Sequence, residues 1–359
     1  MNAISLKHKF KTSYIVEKNY KSLDILKLVS AIFIVGLHCF RFNDDLYTYW
    51  FVCSARFGVP CFFIISAFFL FKKDPDWNKM KQFTKRIAKL YLFWLIATAP
   101  FTIYLRLFAN HSISFTEKIL NLIHTSLFSA SFSGSWYLMA LLQCSFIIYF
   151  LKKYLSNSTI LLISFVIYIL PCIAASYNYL FDAEHIITYF IATFTEVIFR
   201  PYHCFPAGLI YVAIGMIIAE NYHKIIANTT LWIAVSLCIF TICLSFIENY
   251  YIYEYSRGLR KDSDAFFSLV PLATSLIILA LKIDETYSLK INTVIIRQIS
   301  TIMYFSQFAF IFVLVRLQDR HILPISNFTL YMLVLLFTIC LTYLLRNLKN
   351  KYPLLKYAF

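Results

Sequence analysis

The 359-residue chain carries 33 Lys and Arg against 18 Asp and Glu, a net charge of +15, and is 60% hydrophobic with only 14% charged residues. Soluble domains hold about 25% charged and about 45–50% apolar residues, whereas the mean hydropathy here is +0.69. An ordinary soluble enzyme, a disordered chain and a disulfide scaffold are excluded, and the chain reads as an all-α, polytopic integral membrane protein. Surplus positive charge on so apolar a chain marks cytoplasmic loops and not a nucleic-acid partner.

A membrane-crossing helix needs roughly 20 mostly apolar residues. Runs of this kind begin at 25–42, 50–71, 87–108, 136–151 and 159–175, and continue at 203–219, 231–247, 265–281, 299–317 and 328–345. Ten spans are therefore expected. The further run 186–199 contains Glu196 and is expected to be interfacial or re-entrant, since 14 residues are too few to cross. With ten spans, 23 of the 33 Lys and Arg fall on one side: six within residues 1–27, seven within 72–89, then Lys152, Lys153, Lys224, Lys282, Lys290, Arg297, Arg346, Lys349, Lys351 and Lys356. The other side receives 10. The positive-inside rule then places both termini in the cytoplasm. The division is a tail over 1–22, one ten-span domain over 23–346 and a second cytoplasmic tail over 347–359, with no internal repeat. The nine cysteines lie mostly in apolar runs without a C-x-x-C pair or a Cys/His cluster, so they read as packing residues and no metal is expected.

Charged residues inside a span are costly and mark functional positions. The first span holds Lys27 and His38, eleven positions apart, which puts them within about 20° of one helical face and roughly 16 Å apart along the axis. Asp24 and Arg41 extend the same stripe. Such a stripe must face a protein interior or a watery cavity, unless Lys27 only snorkels to headgroups and His38 is a hydrogen-bonded structural residue. Imidazole takes and returns a proton near neutral pH, so His38 is a candidate general base for a hydroxyl nucleophile.

The Lys27-x10-His38 spacing after Leu23-Asp24 resembles the Arg-x10-His signature of the membrane acyltransferase-3 family, whose members O-acylate surface polysaccharide and lipopolysaccharide. Arg56 to Leu70 (RFGVPCFFIISAFFL) resembles the family's Val-Pro-x-Phe-Phe-x-x-Ser-Gly block, and Lys85 to Trp94 (KRIAKLYLFW) its basic entry to the third span. Ser135-Trp136-Tyr137-Leu138 and Ala213-Ile214-Gly215-Met216 resemble two later blocks. Departures are Lys27 for the usual Arg, Ala67 for Gly, and Gln307 where many members have His.

The resemblance implies a bacterial inner-membrane O-acyltransferase that uses acetyl-CoA as co-substrate, with no tightly bound cofactor, and a glycan or glycolipid acceptor. Lys85, Arg86 and Lys89 would hold the acyl-CoA phosphates, or else merely signal topology. Lys27 would orient the donor at the inner mouth, and His38 would meet the acceptor hydroxyl further out. Arg56 either clamps the acceptor or pairs with an acid, Ser66 is better suited to packing than to nucleophilic attack, and Trp136 either stacks on a sugar or anchors at the interface. Asp44, Asp45, His111, His124, His185 and His203 are further outer-side polar candidates, and spacing does not choose among them. A transporter is the competing class, but it would normally show pseudo-symmetry and Gly/Pro-broken spans, and this chain has six Gly and no repeat. No sequence feature specifies an oligomeric state.

Overall fold

The computed structural model describes residues 20–40, 46–103, 114–129, 132–256, 264–320, 322 and 324–359. Among the described residues the regular structure is entirely helical. In chain order the α-helices are α1 (Lys21–Cys39), α2 (Leu46–Ser54), α3 (Gly58–Phe71), α4 (Trp77–Ala97), α5 (Ala99–Ile103), α6 (Phe115–Phe128), α7 (Trp136–Leu151) and α8 (Asn157–Ala175). They continue as α9 (Ile186–Val197), α10 (Phe205–Glu220), α11 (Tyr222–Asn228), α12 (Leu231–Ser256), α13 (Leu269–Thr286), α14 (Thr293–Asp319) and α15 (Asn327–Leu348). Tight single turns at Ala55–Phe57 and Pro201–His203 join α2 to α3 and lead into α10.

Side-chain caps open several of these helices. Asp76 accepts the Lys79 amide at 2.7 Å to open α4, and Ser156 and Ser326 accept the Thr159 and Thr329 amides at 3.2 and 3.1 Å to open α8 and α15. Each interaction satisfies an amide that the first turn leaves without an intrahelical partner. At α6 the cap is reciprocal, Ser114 taking the Glu117 amide while the Glu117 carboxylate takes the Ser114 amide.

The helices turn their small and polar residues inward. In α12 the buried positions are Ala234, Cys238, Thr241, Ser245, Asn249, Ile252 and Ser256, one stripe at three- and four-residue spacing, while Trp232, Ile239, Phe240 and Ile247 are exposed. That is the reverse of a soluble helix and suits a lipid-facing one, where close approach and interhelical hydrogen bonds replace hydrophobic exclusion. Thr241 and Ser275 supply such a bond between α12 and α13 at 2.8 Å. Between α3 and α10, the most extensive helix pair, a Cβ on Gly215 would lie 2.5 Å from the Ile64 carbonyl oxygen, so only glycine permits this approach.

Six helices or helix combinations are long and apolar enough to cross a membrane (Lys21–Cys39, Tyr49–Phe71, Asn157–Ala175, Leu231–Ser256, Thr293–Asp319 and Asn327–Leu348), and the bent pair α10–α11 makes a seventh if it counts as one span. This is fewer than the ten expected, for identifiable reasons. The helix α7 has 16 residues, about 24 Å at 1.5 Å each against roughly 30 Å of hydrocarbon. The first half of α4 is basic, and α13 ends on Lys282, Asp284 and Glu285. The segment expected to lie at the interface forms α9, whose 12 residues reach only about 18 Å.

The position of α1 matters most for function. It packs against α3, α13, α14 and α15, so its polar stripe meets protein and not lipid. Its N-terminus is tied to α13, the Ser22 amide donating to both Asp284 carboxylate oxygens at 2.9 and 3.1 Å, an anion at the positive end of the helix dipole. The same end of the bundle is stitched by Lys152, which pairs with Asp74 and with Glu220. Burial alone pulls the Lys152 ammonium down, but these two carboxylates outweigh it and hold it above its ordinary value. The segment Pro353–Ala358 folds back on α4, where the Trp94 indole N–H donates to the Ala358 carbonyl at 3.3 Å.

Candidate active site: two cavities along one helix

The two ends of the α1 stripe open into two different cavities. The first, about 440 Å³, is lined by Lys27, Arg86 and Arg297 together with Ser66 and Tyr137. The second, about 400 Å³, is lined by His38, Arg56, Trp136, His203 and Asp264. Both volumes are ligand-sized. Sequence neighbours divide between them: Phe62 and Tyr137 face the Lys27 cavity, Phe63 and Trp136 the His38 cavity. Tyr304 of α14 lines both. Its ring packs edge-on to Phe62 and Tyr137 at 5.5 and 5.7 Å, and its hydroxyl donates to the Gly134 carbonyl at 3.0 Å. Tyr304 is thus the residue that the two linings share among the described residues.

In the Lys27 cavity the Asp24 carboxylate is shared. Lys27 Nζ stands 3.8 Å from one oxygen and Arg297 Nε 3.5 Å from the other, with the Asp24 side chain 6% exposed. One buried anion therefore holds two cations that face the cavity, leaving a net positive site. Arg86 adds a third cation from α4. Among the basic residues expected to bind donor, the structure brings Arg86 to the cavity. Lys85 is exposed and outside the lining, and Lys89 lies over the Tyr357 ring at 4.8 Å. Consecutive helical residues point about 100° apart, so a cluster compact in sequence spreads around α4. Ser66 shares a hydrogen bond of 2.9 Å with the Tyr137 hydroxyl, which also donates to the Phe62 carbonyl at 3.2 Å. It braces α3 against α7, as a packing hydroxyl does.

In the His38 cavity the imidazole packs on Phe308 with ring centroids 4.6 Å apart. Arg56 forms an ion pair with Asp264, and the other Asp264 oxygen accepts from His203 Nε2 at 2.8 Å. Of the two readings of Arg56, the pair with Asp264 is the contact present here. Trp136 packs at a tilt of 38° against His203, centroids 5.3 Å apart, and lines the cavity wall. The loop ahead of α7 turns at Gly134, whose φ of +82° favours glycine and whose Cα faces Phe308.

Of the unranked outer-side candidates, His203 alone reaches this cavity among the described residues. His124 donates to the Val197 carbonyl at 2.9 Å and His185 caps α9, while Asp44, Asp45, His111 and Arg41 lie outside the described residues. Three residues of the cavity linings were not singled out from sequence: Asp264, Arg297 and Tyr304. Arg297 counted only toward topology, Asp264 sits next to a polar loop without periodicity, and Tyr304 is one of 26 tyrosines. Glu248, inside α12, is likewise new: it takes the Phe267 and Ser268 amides at 2.7 and 2.6 Å and so caps α13.

A bundle of long apolar helices around α1, whose polar stripe has a cavity at each end, defines a multi-pass membrane protein with an internal site. The chain belongs to the acyltransferase-3 (acyltransferase domain) family, which it matches over residues 20–347. It is also similar to two amino-acid racemases of Enterococcus faecalis. One is 24% identical over 164 residues, 45% of this chain and 22% of the relative, and the other is 25% identical over 130 residues, 33% and 17% respectively. The match thus spans about a fifth of the length of these curated relatives. No solved structure matches.

Proposed function

We propose that the protein is a bacterial inner-membrane O-acyltransferase that takes an acyl group, in the first instance acetyl, from cytoplasmic acetyl-CoA and passes it to a hydroxyl of a surface polysaccharide or its lipid-linked precursor. The observation that carries this reading is the paired cavities: a three-cation cavity at Lys27 and a histidine cavity at His38, with Tyr304 in the lining of both. The cations suit the phosphates of the donor. The second cavity suits a hydroxylated acceptor beside a proton-accepting ring.

In this scheme the donor's thioester arm reaches past Tyr304 toward His38. His38 accepts the acceptor O–H proton as the oxygen attacks the thioester carbonyl. The new C–O bond forms, the C–S bond breaks, and the proton passes from the imidazole to the departing sulfur. Lys27 and Arg297, held by Asp24, bind the donor. The topology that fits is ten passes within residues 23–346, with both termini in the cytoplasm and α4, α7 and α13 crossing as shorter or more polar spans.

Purified protein in sealed vesicles tests this. With labelled acetyl-CoA supplied only on the side of the Lys27 cavity, label should appear in glycan presented on the opposite side. Label appearing only when both substrates share one side would overturn the transmembrane route.

A further inference from the structure

The wall of the His38 cavity holds a chain of interactions that the proposed transfer does not use. Arg56 is paired with Asp264, Asp264 accepts from His203, and the His203 ring packs at a tilt against Trp136. The His203 backbone is fixed as well, its carbonyl accepting the Ser129 hydroxyl at 2.7 Å. The Arg56 and Asp264 side chains are only 13% and 10% exposed, against 26% for His203. The charged pair therefore lies behind, and the imidazole and indole form the face. Arg56 is the one permanent cation among the described residues that line this cavity, and its charge is met by Asp264. An anionic ligand would sit beside the Asp264 carboxylate facing a cation already compensated, and would lose its hydration for little return.

We propose that this wall is the acceptor subsite and that it takes an uncharged, hydroxylated sugar ring, stacked on Trp136 and hydrogen-bonded by His203, with Asp264 and Arg56 as positioning residues that hold His203 in place. The proposal rests on the O-acyl-transfer reading. It goes further by fixing the acceptor's charge and giving Arg56 a supporting role. An apolar ring face suits stacking, and a ring hydroxyl suits the imidazole edge.

The test uses cells with the intact gene and cells lacking it. Surface glycan is purified from both, and the esterified sugar is located by NMR. The expected result is an acyl ester, dependent on the gene, on a neutral sugar. An ester on a uronic acid or another anionic sugar overturns the inference but leaves the O-acyl-transfer reading standing. No acyl difference defeats that reading and the inference with it. With the sugar identified, Asp264→Asn should raise the KM for that acceptor on the order of tenfold or more while the KM for acetyl-CoA stays put, the loss expected for one misplaced hydrogen bond. His203→Gln, which can still donate a hydrogen bond, should retain more acceptor affinity than His203→Phe. A purely structural wall would instead lower the amount of folded protein and leave the ratio of the two KM values unchanged, a result that also overturns the inference.

Discussion

Replacing Lys27 by Met separates two duties of one side chain. Asp24 is buried and shared between Lys27 at 3.8 Å and Arg297 at 3.5 Å. Stripping one partner from a buried ion pair costs about 3–5 kcal/mol when no other cation remains. Arg297 does remain, although its half-exposed side chain is partly screened by solvent, so Lys27→Met should destabilise by about 1–3 kcal/mol. It should also weaken donor binding by one charge-assisted contact, about 1.5–3 kcal/mol or roughly ten- to hundredfold. The double variant Asp24→Asn/Lys27→Met removes the anion that Arg297 alone would have to balance, and should recover most of the stability without recovering donor affinity. Lys27→Arg keeps the charge and should retain both. Thermal unfolding in detergent gives the first quantity, and initial rates against acetyl-CoA concentration give the second. If the double variant shows a wild-type KM for acetyl-CoA, Lys27 serves only to neutralise Asp24, and the donor assignment of this cavity fails.

Three further outcomes follow from the same geometry. Arg86→Gln should raise the KM for acetyl-CoA several-fold while Lys85→Gln leaves it unchanged, because only Arg86 lines the cavity; equal effects would point to diffuse surface electrostatics. Tyr304→Ala removes a ring that lines both cavities and should raise acetyl-CoA hydrolysis in the absence of acceptor, measured by free thiol release, whereas Tyr304→Phe keeps the ring and should not. Gly215→Val sets side-chain atoms against the Ile64 backbone where a Cβ alone comes within 2.5 Å, and should destabilise by roughly 1–3 kcal/mol; an unchanged melting temperature would show that α3 and α10 can separate freely.

The α1 stripe was legible in the sequence because helical periodicity converts an eleven-residue spacing into a shared face, and a charged residue inside an apolar run has few innocent explanations. The partnership of Asp264 with Arg56 and His203 was not, because it joins three loop or turn residues far apart in the chain. Lys85 and Arg86 look alike as a motif, and only the packing of α4 decides which one turns toward the cavity. Span counting from apolar runs met its limit at α4, α7 and α13, because a run of apolar letters does not reveal that the helix built on it is short, as α7 is, or carries charge at one end, as α4 and α13 do.

In the proposed transfer His38 is the base at which the acyl group meets its acceptor. The direct measurement is transfer by His38→Gln in sealed vesicles, alongside wild type, with labelled acetyl-CoA on the Lys27 side and acceptor on the other. Gln keeps a hydrogen-bonding side chain but cannot take the proton, so transfer should fall by about 10²- to 10⁴-fold, with protein level and donor KM unchanged and no label retained on the wild-type protein when acceptor is withheld. Near-normal transfer by His38→Gln would contradict the account, and label trapped at His38 in the wild type would replace direct transfer with an acyl-imidazole route.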